Sequence, residues 1–296
     1  MELRHLRYFV AVAEELHFGR AAKRLHLAQP ALSQQIKQLE KELGVLLLSR
    51  TKRSVALTDP GRAFLAEARR TLDSADQAVR AARRAARGEI GTLRVGYVDL
   101  ATWLGFPAIL RRFRQEFPSV DVTLVELHRE PQREALIRGA LDVGFFTLAE
   151  RDQGLAGAPI ASEPLILALP SEHPRAADAR ITLSDLAEEN WVLFPRELRT
   201  VYVELILSHC REAGFVPRIV QEASQLHALA GLVSAGVGIT MLPRAMAAAP
   251  RQGVMYRSLE DAPLLPLHIV WPQGNQSPAA AQFVDVARSV IGETVA

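Results

Sequence analysis

AQPALSQQIKQLEKELG, residues 28–44, carries one apolar stripe and a polar side that changes character halfway along. Leu32, Ile36, Leu39 and Leu43 recur at steps of four, three and four, which puts them on one face of an α-helix. Pro30 suits the first turn, where a missing N–H costs nothing, and Gly44 supplies a C-terminal stop. The N-cap falls to Ala28 or Gln29, both poor at that task, so this end serves something besides helix stability. From Gln29 to Leu39 the polar side shows amides, Ser33 and Lys37 and no acid; Glu40 and Glu42 follow only afterwards. Ser33, Gln34 and Lys37 share a face with Pro30 away from the leucines, and such side chains bond base edges and phosphates.

Upstream, Leu3, Leu6, Phe9, Val10 and Ala13 predict a first amphipathic helix, and FGRAAKRLHL (18–27) a short second one in which Ala21 and Ala22 permit close approach. A short helix, a turn through His26 to Ala28 and a helix with a polar leading face form a helix-turn-helix pattern, whose second helix enters the major groove. An acid-free helix start suits phosphates, which repel carboxylates. An ordinary helical hairpin would show the same short pattern. Downstream, LLLSRTKRSVALT (46–58) reads as a β-wing: an apolar run, a basic turn with Arg50, Lys52 and Arg53, then the alternation Val55, Leu57. Thr58, Asp59 and Pro60 open a helix over about 59–87, with Leu65, Ala68, Leu72, Ala75, Val79, Ala82 and Ala86 at alternating steps of three and four. That seam predicts a coiled-coil partner helix, hence a dimer with two reading helices and an inverted-repeat site.

Charge divides the chain in the same place. Residues 1–90 hold 17 Lys and Arg against 10 Asp and Glu, a balance of +7, while the rest holds 18 against 23, a balance of −5. A basic segment on a mildly acidic remainder points to a polyanion partner for the first segment or, as readily, to a solvated basic face. The single Cys210 excludes an internal disulfide and suits a reducing compartment. No apolar run is long enough to span a membrane, and Glu14 and Glu15 interrupt any signal-peptide core, so a cytoplasmic location is expected.

Over nearly its whole length the sequence resembles the LysR-type transcriptional regulators. The matching signature runs from LRHLRYFVAVAEELHFGRAAKRLHLAQPALSQQIKQLEKELG into LLLSRTKRSVALTDPG and the long helix. Leu48 stands where a Phe is usual, Pro60 replaces an Ala before Gly61, and His17 and Gly19 replace the common Ser and Thr. The resemblance implies that Gln29, Pro30, Ser33 and Gln34 face DNA, with Arg50 and Arg53 in the wing. It also implies a C-terminal effector domain of two α/β lobes resembling a periplasmic binding protein, tetramers beyond the dimer, and RNA polymerase as a further partner.

The expected organisation is a winged helix-turn-helix domain at 1–58, a linker and dimerisation helix at 59–90, and an effector-binding domain at 91–296. Within the last, lobe I takes about 91–161 and 268–296, and lobe II about 165–263. From GTLRVGYV (91–98) onward, short β-rich runs alternate with helices, predicting an α/β fold with mostly parallel sheets. Strand candidates are VDVTLVEL, DVGFF, LILALP, WVLF, RIVQEA, GITMLP and LHIVW; helices are expected over 103–117, 131–139, 198–213, 225–235 and 278–291. Stretches near 160–165 and 263–268 are expected to cross between the lobes.

In such sheets ligands sit beyond the strand C-termini. That rule selects Asp99, Leu100 and Thr102 after the first strand, His128 and Arg129 after the second, Thr147 after the third, and Pro195 and Arg196 after WVLF. His227, near a helix start, is a further candidate. Each alone is better explained by surface or structural service than by ligand contact; together they favour a cleft for a small organic effector. Arg129 and Arg196 would favour a carboxylate, whereas Asp99 would oppose one or pair with an Arg. Relatives that take acidic aromatic-catabolism effectors carry Ser or Thr at positions like Leu100 and can carry Arg at that of Thr147, and this chain has neither.

No cofactor or metal is expected: the eight His lack HxxxH pairing, Gly236 and Gly238 lack a third dinucleotide-binding glycine, and there is no GxSxG elbow. An enzyme or solute carrier with a basic oligomerisation arm, and a nonspecific architectural DNA binder, are the rival readings.

Overall fold

The computed structural model describes residues 1–51, 54–147, 152–178, 180–195, 201–259, 262–274 and 276–295. Two compact units divide the chain between Arg84 and Ala85.

The first unit begins with three helices, α1 (Leu3–Glu15), α2 (Phe18–Arg24) and α3 (Gln29–Leu43). Leu6, Phe9 and Val12 of α1, Ala21 and Ala22 of α2, and Leu32, Ile36 and Leu39 of α3 are buried together. Each fully buried Leu, Ile or Phe contributes roughly 1.5–3 kcal/mol. The start of α2 explains two departures from the family pattern as one change. The ring Nδ1 of His17 accepts the Arg20 N–H at 3.2 Å, doing the capping work of a hydroxyl. A Cβ on residue 19 would approach the His17 ring to 3.0 Å, so Gly19 makes room for it. Strands β1 (Leu48–Arg50) and β2 (Val55–Leu57) pair antiparallel as the wing. The long helix α4 (Asp59–Ala86) follows, with Thr58 Oγ1 accepting the Gly61 N–H at 2.9 Å and donating to the Leu46 carbonyl at 2.7 Å. Phe64 of α4 meets Phe9 edge to face at 5.2 Å.

The second unit starts with β3 (Gly91–Tyr97), α5 (Asp99–Trp103), α6 (Phe106–Glu116), β4 (Val120–Glu126), α7 (Arg129–Ile137) and β5 (Val143–Phe146). Strand β6 (Leu155–Pro170) leads to β7 (Asn190–Leu193), α8 (Val201–Glu212), β8 (Arg218–Glu222), α9 (Leu226–Ser234), β9 (Thr240–Pro243) and β10 (Val254–Arg257). The chain ends with β11 (Leu264–Pro272) and α10 (Pro278–Val295). In the first lobe β3 runs parallel to both β4 and β5. The second half of β6 lies antiparallel to β9 and β10, while β7 is parallel to β8 and makes a single parallel bridge from Trp191 to Ile239, the residue before β9.

The expectation of mostly parallel sheets is corrected here, because β11 runs antiparallel to β5 and to β6, and β6 to β9 and β10. Strands β6 and β11 pair from Leu155 with Pro272 through to Pro164 with Leu264, with one register shift at Leu267 and His268. Their flanking cores change along the way. Ile160, Leu267 and Ile269 belong to the core of β3, α6 and α10, whereas Leu165, Leu167 and Leu265 belong to that of β7, α8 and α9. The two strands thus cross between lobes as one bonded pair. At the start of the unit, Gly88 has φ +71° and packs against the Pro278 carbonyl, which a Cβ would meet at 2.4 Å. Arg87 also accepts a 3.1 Å bond from Gln282 Nε2, fixing this segment to the start of α10.

Candidate functional site

Helix α3 begins at an Ala28 N-cap without a side-chain cap bond, carries Pro30 in its first turn, and stops at Gly44 with φ 71°. Gln29, Pro30, Gln34 and Lys37 are exposed and Ser33 is half-buried, while Leu32, Ile36 and Leu39 face the core. Glu40 does not stand on the outer side with Glu42. It is 6% exposed, with Oε1 accepting the N–H groups of Leu47 (3.0 Å) and Leu48 (3.1 Å) and Oε2 the Arg50 guanidinium (2.7 Å). Arg50 also covers the Phe18 ring at 4.9 Å. Its charge therefore ties the wing to α3 and stacks on α2, a structural role beside the expected one in the wing. Arg53 and Lys52 lie outside the described residues. The Glu40 node was readable, because Glu40 stands four residues after Ile36 and so shares the apolar stripe.

A cavity of about 430 Å³ opens between the two lobes. Asp99, Leu100, Arg129 and Thr147 line it, together with His128. Thr102, Pro195 and His227 are not among its lining: the Thr102 hydroxyl is bonded to the Asp99 carbonyl at 2.7 Å, and His227 is exposed. Arg196 lies outside the described residues. Sequence reasoning missed Phe194, which precedes the selected Pro195, and Ser224 and Gln225, which the strand-end rule would have found had it been applied to β8. Tyr202 and Leu265 had no local signal, since they come from the side of α8 and from the crossing strand.

Arg129, Thr147 and Tyr202 are committed to partners within the protein. Arg129 lies over Phe146 and donates to both oxygens of the fully buried Asp152 at 2.6 Å, to the Thr147 carbonyl at 3.2 Å, and to Glu130. Asp152 also meets Arg133 at 3.4 Å, so Arg129 sits in a network of two guanidinium groups with the carboxylates of Asp152 and Glu130. Thr147 Oγ1 donates to the Pro266 carbonyl at 2.5 Å, pinning the end of β5 to β11. The Tyr202 hydroxyl donates to the Met241 carbonyl, and burial pushes its phenol well above the usual tyrosine range. Asp99 pairs with no Arg among the described residues; its Oδ2 accepts the Leu226 N–H at 2.9 Å, across the lobes at the start of α9. No group of three or more His, Cys, Asp or Glu among the described residues is placed to hold a metal.

Two family models match the chain: "Bacterial regulatory helix-turn-helix protein, lysR family" over residues 3–62 and "LysR substrate binding domain" over residues 86–292. The chain belongs to the LysR family. Among LysR-type relatives, the HTH-type transcriptional regulator AlsR of Bacillus subtilis is 42% identical over 289 residues, covering 97% of this chain and 95% of that one. The crystal structure of CbnR, a LysR family transcriptional regulator, matches with a TM-score of 0.84 at 34% identity over 97% of this chain and all 100% of the other. Full-length CbnR in complex with its target DNA matches with a TM-score of 0.82 at 33% identity, covering 98% of this chain and 100% of CbnR. As a LysR-type protein this chain is a DNA-binding transcriptional regulator with a domain for a small-molecule effector, and not an enzyme. The helix-turn-helix match contains α1 to α3 and the wing; the substrate-binding match contains the cavity. Among the described residues no helix is long and apolar enough to cross a membrane.

Proposed function

We propose that a dimer of this regulator reads an inverted repeat with its two α3 helices in major grooves about 34–36 Å apart, or a multiple of that. Ser33 and Gln34 meet base edges, Gln29 and Pro30 lie against the strand at the groove entrance, and Lys37 contacts phosphate. Arg53 reaches the backbone or minor groove from the wing, which Arg50 braces through Glu40. The observation that carries this reading is the surface of α3: its first half exposes amides and Lys37, and Glu40 is turned inside.

Dimerisation through the α4 seam is supported by Val79, which is 49% exposed, and by Ala82 and Ala86, exposed in line with it. Assembly to a tetramer, action in the cytoplasm and communication with RNA polymerase complete the reading. A small organic effector bound in the interlobe cavity alters the relative pose of the lobes and so the arrangement of the reading helices.

A footprint on the DNA upstream of the protein's own gene, at stated salt, tests the reading. Dyad-symmetric protection is expected. Gln34→Ala relaxes base preference by about 1–3 kcal/mol at one position, and Lys37→Ala weakens all sequences alike and lowers the salt slope by about 1. Protection no stronger than on random DNA, or footprints unchanged in both variants, would refute it.

A further inference from the structure

The strongest unassigned feature is the carboxylate placed inside the effector cavity. Asp99 lines the cavity at the end of β3, and its Oδ2 takes the leading N–H of α9, Leu226, at 2.9 Å. Further along the turn, the Ala228 and Leu229 N–H groups both donate to the Gln225 carbonyl at 3.1 Å. A helix start is the natural seat for a ligand anion, and here the protein's own anion sits in it. The start of α7 is a poorer seat, since Pro131 lacks an N–H and Glu130 adds a negative charge to its first turn. Among the described lining residues the other formal charges are Glu126 and Arg129, and Arg129 is balanced by Asp152 and Glu130. The remaining wall is mostly apolar, with Leu100, Phe146, Phe194, Leu226 and Leu267. Asp99 Oδ1 has no hydrogen-bond partner among the described residues, so the cavity contains an acceptor and a negative charge waiting for a donor.

Resting on the effector-cavity reading above, we propose that Asp99 determines the specificity of the cavity: the effector is a mainly apolar molecule bearing a hydroxyl or ammonium donor and no carboxylate. The donor meets Asp99 Oδ1, and the apolar body fills the lobes' shared wall. A carboxylate would face Asp99 and Glu126 with the Leu226 N–H already taken by Asp99, so it is repelled.

Benzyl alcohol, benzylamine and benzoate present one ring and three end groups, and calorimetric titration of each into the full chain tests the proposal. The wild type is expected to bind the alcohol and the amine at least about tenfold more tightly than benzoate. Asp99→Ser frees the Leu226 N–H and removes the charge, and is expected to raise benzoate affinity at least about tenfold while weakening benzylamine. Asp99→Asn, closer in shape, provides the same direction should the Ser variant fold poorly. Benzoate binding the wild type as tightly as the alcohol overturns the proposal, as does an Asp99 variant with unchanged benzoate affinity, or silence of all three probes on wild type and variants. Leu100→Trp, which fills the cavity, separates the two levels. Benzoate binding that this change abolishes leaves the cavity as the effector site and removes only the selectivity, whereas probe binding that survives it removes the cavity reading itself.

Discussion

Replacing Glu40 by Ala removes the acceptor that joins α3 to the wing, and the cost follows from its three bonds. The N–H groups of Leu47 and Leu48, at 3.0 and 3.1 Å from Oε1, become buried donors without a partner, at about 1–3 kcal/mol each. Arg50 loses its partner at 2.7 Å, but with a quarter of its side chain exposed it retreats toward water, so its share falls below the roughly 3–5 kcal/mol typical of a broken buried pair. The expected loss is about 3–5 kcal/mol, a large part of the stability of a unit of this size. Glu40→Gln keeps an oxygen for both N–H groups and gives up only the charge, so about 1–2 kcal/mol is expected. The assay can be confined to the right unit: all three Trp, at 103, 191 and 271, lie in the second one. Urea unfolding followed by circular dichroism should therefore show a weakened transition that Trp fluorescence does not share, together with lost DNA binding. A cost below about 1 kcal/mol for Glu40→Ala, or equal costs for Ala and Gln, would refute the account in which the carboxylate serves chiefly as a backbone acceptor.

Other outcomes follow from close packing and from burial. Gly61→Ala would bring a Cβ to 2.0 Å from the Leu47 carbonyl oxygen, so thermal unfolding of the first unit should register a loss of about 1–3 kcal/mol despite the better helix propensity of Ala. Burial pushes the Cys210 thiol up from 9.0 to about 12. The folded state thus holds its proton where the unfolded chain releases it, and this contribution is intact below pH 9 and lost as pH rises toward 12, at up to about 1.4 kcal/mol per unit. The stability difference between wild type and Cys210→Ala, followed from pH 7 to pH 11, should shrink above pH 9; a flat difference would contradict the burial argument. The same thiol should resist alkylation in the native protein and react on unfolding.

What the sequence disclosed, and what it did not, divides by the range of the interactions involved. The stripe Leu32, Ile36, Leu39 and the caps at Thr58 and Gly44 are local, and a periodicity of 3.6 reveals them. The first ten residues of β6, Leu155 to Pro164, were invisible as a strand because they are small, include Pro159 and Pro164, and lack an apolar alternation. Pairing with β11 holds them extended, and β11 lies more than a hundred residues downstream. Strand β10 was hidden in the same way, its four residues being ordered by β6. In the cavity, residues at strand ends such as Asp99, Arg129 and Thr147 were accessible to a topological rule, but their commitments were not. Asp152, which balances Arg129, and Leu226, which Asp99 serves, are contacts that only the folded chain makes.

The pairing of β6 with β11 has a mechanical consequence. Two separate tethers between lobes would permit sliding, twisting and bending alike, whereas two strands bonded to each other through the crossing resist shear within their plane and yield most readily out of it. They form a leaf spring. Any change in the pose of the lobes would therefore be carried by the flexing of one ribbon and not by two independent hinges.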